Sequence, residues 1–380
     1  MRQFLFTILF SLLLCGCAAA APEASIETTL PPTVETAAPT APETEPPDPM
    51  MLLLNAMTVE EKVGQLFLAR CDEAAALTDI GTYHLGGYIL FGQDFDGETP
   101  DSFRSKIQAY QAASPIPLLI AVDEEGGTVC RVSSHAAFRS GRFPSPRESF
   151  AAGGMEQVLA METEKAALLQ SLGINVNMGP VCDITTGFGA FMQPRSLGES
   201  PEETARFVAS TVQIYEDHNL GSVLKHFPGY GNNPDTHTQM ARDNRSLEEL
   251  EETDLVPFAA GMDAGTGAIL MSHNIIEALD SEYPASLSPA VHDYLRNTMG
   301  FDAVIVTDDL VMQAITDAYG PEEAAVLAVL AGNDLLCSTE YQVQYAAVLE
   351  AVNSGRISRS QLDESVMRIL EWKKELGLIF

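Results

Sequence analysis

The chain has 380 residues, of which 21 are Lys or Arg and 53 are Asp or Glu, for a formal net charge of −32. Such a surface repels nucleic acid and anionic lipid headgroups, so neither is an expected partner. The length admits one large domain or two small ones beyond any leader segment.

Residues 1–17, MRQFLFTILFSLLLCGC, place Arg2 before an apolar run that small residues follow. That is the pattern of a secretory signal peptide, too short and wrongly flanked for a spanning helix. Leu14-Cys15-Gly16-Cys17 is similar to the bacterial lipobox, in which the final cysteine, here Cys17, is lipidated and becomes the mature N-terminus. Plain secretion with cleavage near Ala20 is the alternative. Either way the protein is expected outside the cytoplasm, and with the lipid it is anchored to the outer face of the cytoplasmic membrane. Residues 18–50 are mostly Ala, Pro, Glu and Thr, with little to bury, and read as a solvated tether. Residues 51–380 are left as the folded domain, expected to act as a monomer. Within it Cys71, Cys130, Cys182 and Cys337 are scattered, with no pair at metal-ligand spacing. They read as small buried hydrophobes near strand ends, with a disulfide left open.

Along the domain a short apolar run recurs, each followed by a helical pattern. The runs are GQLFLAR (64–70), GGYILF (86–91), PLLIAVD (117–123), INVNMGP (174–180), SVLKHF (222–227), GAILMSH (267–273), DAVIVTD (302–308) and NDLLCS (333–338). They are rich in Val, Ile and Leu without clean alternation, as expected for parallel strands covered on both faces. Thr58-x-x-Glu61, Ser200-x-x-Glu203 and Ser246-x-x-Glu249 are capping-box signals for the helices between them. SQLDESVMRILEWKKELGL forms a closing amphipathic helix. Eight strands alternating with helices predict an α/β fold of the (β/α)8 barrel type. A doubly wound sheet needs fewer strands and a phosphate-binding glycine loop after its first one, and Gly86-Gly87 precedes its strand.

In such a barrel the chemistry sits where strands end. PLLIAVD ends in Asp123, with Glu124, Glu125 and Arg131 after it; a salt bridge or a carboxylate for substrate hydroxyls would each explain the acid. Arg195 precedes a helix start and is a weak signal alone. SVLKHF ends near Lys225 and His226, and the loop FPGYGNNPDTHT then presents Asp235 and His237 between prolines and glycines that exclude a helix or an unbroken strand. DAVIVTD ends in Asp308, with Asp309 beside it; strand alternation allows only one of the two to face the barrel mouth. No defensible metal-binding spacing, G-x-S-x-G elbow or cofactor motif is present, so no cofactor is expected. Acids and bases around a barrel mouth suit hydrolysis of a hydroxyl-rich, carbohydrate substrate. In a retaining glycosidase one carboxylate attacks the anomeric carbon and a second group gives, then takes, a proton. A histidine oriented by an aspartate is suited to that second task.

The motif K-H-F-P-G-Y-G with Asp235-Thr236-His237 resembles the signature of family 3 glycoside hydrolases of the β-N-acetylglucosaminidase type. So do Asp123-Glu124-Glu125-Gly126-Gly127 with Arg131, Pro194-Arg195-Ser196-Leu197-Gly198, Pro284-Ala285-Ser286-Leu287-Ser288 and Val306-Thr307-Asp308-Asp309-Leu310. The resemblance runs from about Met57 to about Ala331. It implies a retaining double displacement in which Asp308 is the nucleophile and His237 the acid/base, partnered by Asp235. It implies that Asp123, Arg131, Arg195, Lys225 and His226 hold the terminal sugar. Relatives that cleave glucosides take their acid from a second domain, and the short chain after the eighth strand favours the histidine instead. Two departures stand in the loop: Tyr230 where the family usually has a second histidine, and Asn232-Asn233 where it has Asp-Thr. These positions shape the loop, so altered loop behaviour or leaving-group preference is expected, and the prolines and glycines are expected to let it swing over substrate. Phosphorolysis, glucosidase activity and a non-enzymatic solute-binding lipoprotein are the rival readings.

Overall fold

The computed structural model describes residues 48–236 and 240–380; Cys17, nearly all of the tether and His237 lie outside the described residues. Among the described residues ten strands form: β1 (Phe67–Arg70), β2 (Gly87–Leu90), β3 (Leu119–Val122), β4 (Val176–Asn177), β5 (Gly221–Phe227), β6 (Ala241–Asp243), β7 (Ala268–Met271), β8 (Asn274–Ile276), β9 (Val304–Thr307) and β10 (Leu336–Ser338). Eight of them make one parallel sheet in the order β10-β1-β2-β3-β4-β5-β7-β9. A parallel bridge between Val306 and Leu335 joins the ends, with Thr307 N donating to Leu335 O at 3.1 Å and Leu335 N to Ile305 O at 3.0 Å. The result is a nearly closed (β/α)8 barrel, and each of the eight apolar runs contributes one of its strands.

The caps show how local sequence starts the helices. Thr58 accepts from Glu61 N, and Glu61 returns a bond to Thr58 N at 2.7 Å, a complete capping box. At Ser200 and Ser246 only the forward half forms, the serine accepting from the backbone of Glu203 and Glu249. Ser145 with Glu148 makes a full box that the sequence reading passed over. The first described helix, Pro49–Ala56, begins on an Asp48 cap.

Aliphatic side chains such as Leu68, Leu119, Val176, Val223, Leu270 and Val306 fill the barrel interior. The floor is closed by the Arg359–Glu375 helix, whose Ile369 and Trp372 enter the same cluster. A Cβ on Gly267 would come within 2.0 Å of the Trp372 indole nitrogen, so this strand entrance must lack a side chain for the indole to seat. The expected amphipathic closing helix is thus part of the barrel itself. Cys71, Cys130, Cys182 and Cys337 are all buried free thiols, packed as small hydrophobes.

Beside Trp372, Lys373 is fully buried and donates to Gln65 Oε1 at 2.8 Å. Burial pushes its pKa down to about 7, from 10.5 for an exposed lysine. Between those values the unfolded chain binds the extra proton, so stability rises with pH through the window. The lysine weakens the fold most below pH 7 and no longer does so above about pH 10.5. Lys373→Met leaves the Gln65 oxygen without this donor, a cost of about 1–3 kcal/mol that is the same at either pH. The variant is therefore expected to gain stability relative to the natural chain at about pH 6.5 compared with about pH 9.5, by more than ~1 kcal/mol. Urea unfolding of both proteins at the two pH values checks this; an identical difference at both would refute it.

The β6–β8 pair was not anticipated. It is parallel, pairing Ala241 with Asn274 and Asp243 with Ile276, and it lies outside the barrel sheet. It fixes the returning end of the loop that leaves β5. Arg245 reinforces that end, reaching Asp243 at 2.6 Å and the fully buried Asp254 at 2.5 Å.

Candidate active site

The C-terminal ends of the strands surround a cavity of about 830 Å3. Asp123, Arg131, Arg195, Lys225, His226, Asp235 and Asp308 all line it. Seven of the eight residues expected at the site are thus brought together in one cavity; the eighth, His237, lies outside the described residues.

The stretch after β3 divides its three acids between two jobs. Asp123 and Glu125 line the cavity, and Glu124 between them is fully buried away from it. Glu124 accepts from the backbone of Arg131 at 2.8 Å, Val132 at 2.7 Å and Ser133 at 3.2 Å. It therefore folds the following segment back and places Arg131. Asn177 on β4 holds the same point, accepting from Glu124 N at 2.9 Å and donating to Glu124 O at 3.2 Å. Gly126 has φ +105°, and a Cβ there would strike Pro144 O at 2.2 Å, which accounts for the first glycine of the motif.

Glu125 is the hub of a buried charge array. Arg195 clamps it with two bonds, Nε to Oε2 at 2.8 Å and Nη2 to Oε1 at 2.6 Å. Lys225 reaches Glu125 Oε1 at 2.6 Å and Asp123 Oδ1 at 2.6 Å. Arg131 stands 3.8 Å from Asp123 Oδ2. Burial alone would raise the Glu125 carboxyl, but Arg195 and Lys225 hold it well below the usual carboxylate range. Burial likewise opposes the charge on Lys225, and Asp123 and Glu125 outweigh it, so its pKa is raised. The lysine stays charged and serves as a fixed donor rather than a base.

Lys225 and His226 are adjacent, yet both face the cavity. The pairing of β5 with β7 shifts register between Leu224 and Phe227, which breaks the alternation of a regular strand. His226 Nδ1 lies 2.7 Å from Asp183 Oδ2, and its Nε2 lies 3.3 Å from Arg195 Nη2. A guanidinium can only donate, so Nε2 accepts and the proton sits on Nδ1, donated to Asp183. Asp183 is fully buried and also accepts from Tyr230 N at 2.7 Å.

Asp308 and Asp309 both line the cavity, which corrects the expectation that only one would. The strand ends at Thr307, and alternation no longer applies beyond it. Their surroundings differ. Asp309 Oδ2 accepts from Thr339 Oγ1 at 2.6 Å, and Oδ1 accepts from Thr339 N at 3.2 Å and Val311 N at 3.1 Å. It is committed to joining the ends of β9 and β10. Asp308 Oδ1 accepts from Asp309 N at 2.9 Å.

The departures in the loop have structural explanations. The Tyr230 hydroxyl sits 2.6 Å from Thr236 Oγ1 and accepts from Thr236 N at 2.9 Å, so it holds the residue next to Asp235. Its ring meets His226 edge-on, with centroids 5.6 Å apart. Asn232 accepts from Gly187 N at 2.8 Å and Thr186 N at 3.1 Å, tying this loop to the one after β4. Both residues position backbone.

Four contributors were missed: Glu125, Asp183, Phe91 and Phe191. Glu125 is two positions beyond Asp123, and period-two spacing would have placed it on the same side. Asp183 closes the run that follows β4 just as Asp123 follows β3. Phe91 lies under the guanidinium of Arg131 at 5.1 Å, and Phe191 under that of Arg195 at 5.5 Å. Nothing in their local sequence marks them. Among the described residues no group of His, Cys, Asp and Glu is placed to hold a metal ion.

Comparison with known proteins decides the family. Residues 58–372 match the model of the glycosyl hydrolase family 3 N-terminal domain. The chain belongs to glycosyl hydrolase family 3. Over 328 residues it is 30% identical to β-hexosaminidase LpqI of Mycobacterium tuberculosis, covering 83% of each chain. It is 33% identical to a β-hexosaminidase of Tolumonas auensis over 284 residues, covering 73% of this chain and 82% of the relative. Among solved structures, a family 3 β-N-acetylglucosaminidase from Paenibacillus sp. str. FPU-7 superposes with a TM-score of 0.80 at 33% identity. The match covers 85% of this chain and 63% of that one. The family 3 chain described here is therefore a glycoside hydrolase of the β-hexosaminidase type, on the barrel its sequence predicts. No helix among the described residues is long and apolar enough to cross a membrane.

Proposed function

We propose that the protein is a retaining exo-glycosidase that removes terminal β-linked N-acetylglucosamine from cell-wall fragments or related glycans. The observation that carries this reading is that Asp308 and Asp235 line the same cavity as the Lys225, Arg195, Asp123, Arg131 and His226 array. Asp308 attacks the anomeric carbon as the bond to the leaving oxygen breaks, and His237 gives that oxygen its proton. Water then attacks the same carbon, loses a proton to His237 and releases Asp308, so the configuration is retained. Asp235 orients the imidazole and stabilises its charged form. The array of fixed cations and carboxylates offers donors and acceptors to sugar hydroxyls. Arg131 Nε is buried and lacks a hydrogen-bond partner, a position that a substrate oxygen would fill.

Turnover of an aryl β-N-acetylglucosaminide with retained configuration tests the reading, and the product should be free sugar whether or not phosphate is added. Absence of turnover, or accumulation of a sugar 1-phosphate, would reject it. We further propose that the protein is exported and held at the cell exterior by a lipid on Cys17, a reading that the leader sequence supports. Fatty-acid labelling of the expressed protein should be lost in Cys17→Ala; label that survives would exclude this anchor.

A further inference from the structure

The charged groups around the cavity are not held equally firmly. Lys225 reaches both Glu125 and Asp123 at 2.6 Å, and Arg195 clamps Glu125 with two bonds. Arg131 has Asp123 alone, at 3.8 Å, beyond hydrogen-bond reach, and its Nε is buried without a partner. Glu124 fixes the Arg131 backbone at 2.8 Å, but that bond does not set the side chain. What faces the guanidinium is the ring of Phe91, with the ring centroid 5.1 Å away. The aim of the guanidinium therefore depends on where that ring lies.

Phe91 follows β2, and in the sheet β2 lies between β1 and β3. Arg131 comes from the segment after β3. Arg70, the last residue of β1, comes from the other neighbour, with its guanidinium carbon 4.0 Å from the centroid of the same ring. One carboxylate fixes this arrangement. Asp94 is buried, and its Oδ2 accepts from Phe91 N at 2.6 Å and from Arg70 Nη1 at 3.0 Å. The backbone oxygen of Asp94 accepts from Lys106 Nζ at 2.9 Å, which anchors the turn Gly92–Phe95. The ion pair offsets the charge of Arg70, so a second cation can share the ring. Phe91 and Arg131 line the catalytic cavity, and Arg70 does not.

We propose that Arg70 is a positioning residue for sugar binding, which acts through Phe91 to set the Arg131 guanidinium against the substrate. The proposal rests on the reading above, in which Arg131 holds the terminal sugar. Arg70 itself touches no substrate. Without its head group the ring gains room on the β1 side, and the guanidinium stacked on it loses a fixed support. The donor that a sugar oxygen needs is then still present but no longer held in place.

A double-mutant cycle between Arg70 and Arg131 tests this, read on an aryl β-N-acetylglucosaminide and on inhibition by free N-acetylglucosamine. Arg70→Met keeps an apolar stem against the ring and removes the head group. It is expected to lower kcat/KM about three- to tenfold, chiefly through KM, and to weaken inhibition by the free sugar by a similar factor. Arg70→Lys keeps a cation for Asp94 and should lose less. In an Arg131→Met background, Arg70→Met should leave both quantities nearly unchanged. A merely structural Arg70 would lower stability in urea and change both quantities by the same factor with or without Arg131; that result overturns the proposal. So does an Arg70→Met protein that binds the sugar as the natural one does. If Arg70→Met does not fold, Arg70→Lys replaces it in the cycle, with a loss of about twofold expected beside Arg131 and none beside the methionine. Arg131→Met equal to the natural protein would remove Arg131 from sugar binding, and the proposal with it. A natural protein that does not turn over the aryl glycoside would remove the exo-glycosidase reading beneath both.

Discussion

Asp308→Ala is expected to lower kcat on an aryl β-N-acetylglucosaminide by on the order of 10^4-fold or more, with a much smaller change in KM. The variant loses the atom that bonds to the anomeric carbon, while the residues proposed to hold the sugar remain. Three acids near it are committed to other partners. Asp123 and Glu125 are held by Lys225 and Arg195, and Asp309 is bound to Thr339 and Val311. The same assay on Asp309→Ala gives the contrast. That change removes the link between the ends of β9 and β10, so it should cost stability, about 1–3 kcal/mol for the donors left without an acceptor. Steady-state kinetics on both variants, with urea unfolding beside them, separates the two roles. Full activity in Asp308→Ala would remove the proposed nucleophile.

The second large effect concerns His237 and depends on the substrate. A leaving group that is a weak base departs without a proton, whereas a sugar alcohol does not. His237→Gly is therefore expected to lose about 10^2–10^4-fold on a disaccharide and much less on an activated aryl glycoside. Asp235→Asn should show the same pattern at smaller amplitude, because it disturbs the orientation and charge of the imidazole rather than removing it. Measuring kcat/KM over a series of aryl leaving groups of increasing basicity checks this. A loss that is uniform across the series would mean that His237 does not protonate the leaving oxygen.

Most of the frame was legible because it rests on period and composition. Eight aliphatic runs, each buried on both faces and alternating with helices, are what a parallel barrel needs as staves, and each produced a strand. The strand-end acids were legible for the same reason, since a carboxylate after five apolar residues needs either a cation or a ligand. What escaped was decided by tertiary contacts. Ala241-Arg242-Asp243 has no strand period of its own and becomes extended only by pairing with Asn274–Ile276. The register shift in β5 puts Lys225 and His226 on one side, which no reading of alternation yields. Glu124 and Glu125 look alike in sequence, yet one holds backbone and the other holds Arg195 and Lys225. Asp183 escaped although the rule that found Asp123 applied to it.

The retaining mechanism requires a covalent bond between Asp308 and the sugar. Fluorinated N-acetylglucosaminyl fluorides slow the second step more than the first, so the intermediate accumulates and can be found by peptide mass spectrometry. The account predicts one added sugar per chain, on the peptide that contains Asp308, with the label absent from Asp308→Ala. Label on Asp309 or any other residue, or inactivation without a covalent adduct, would contradict it.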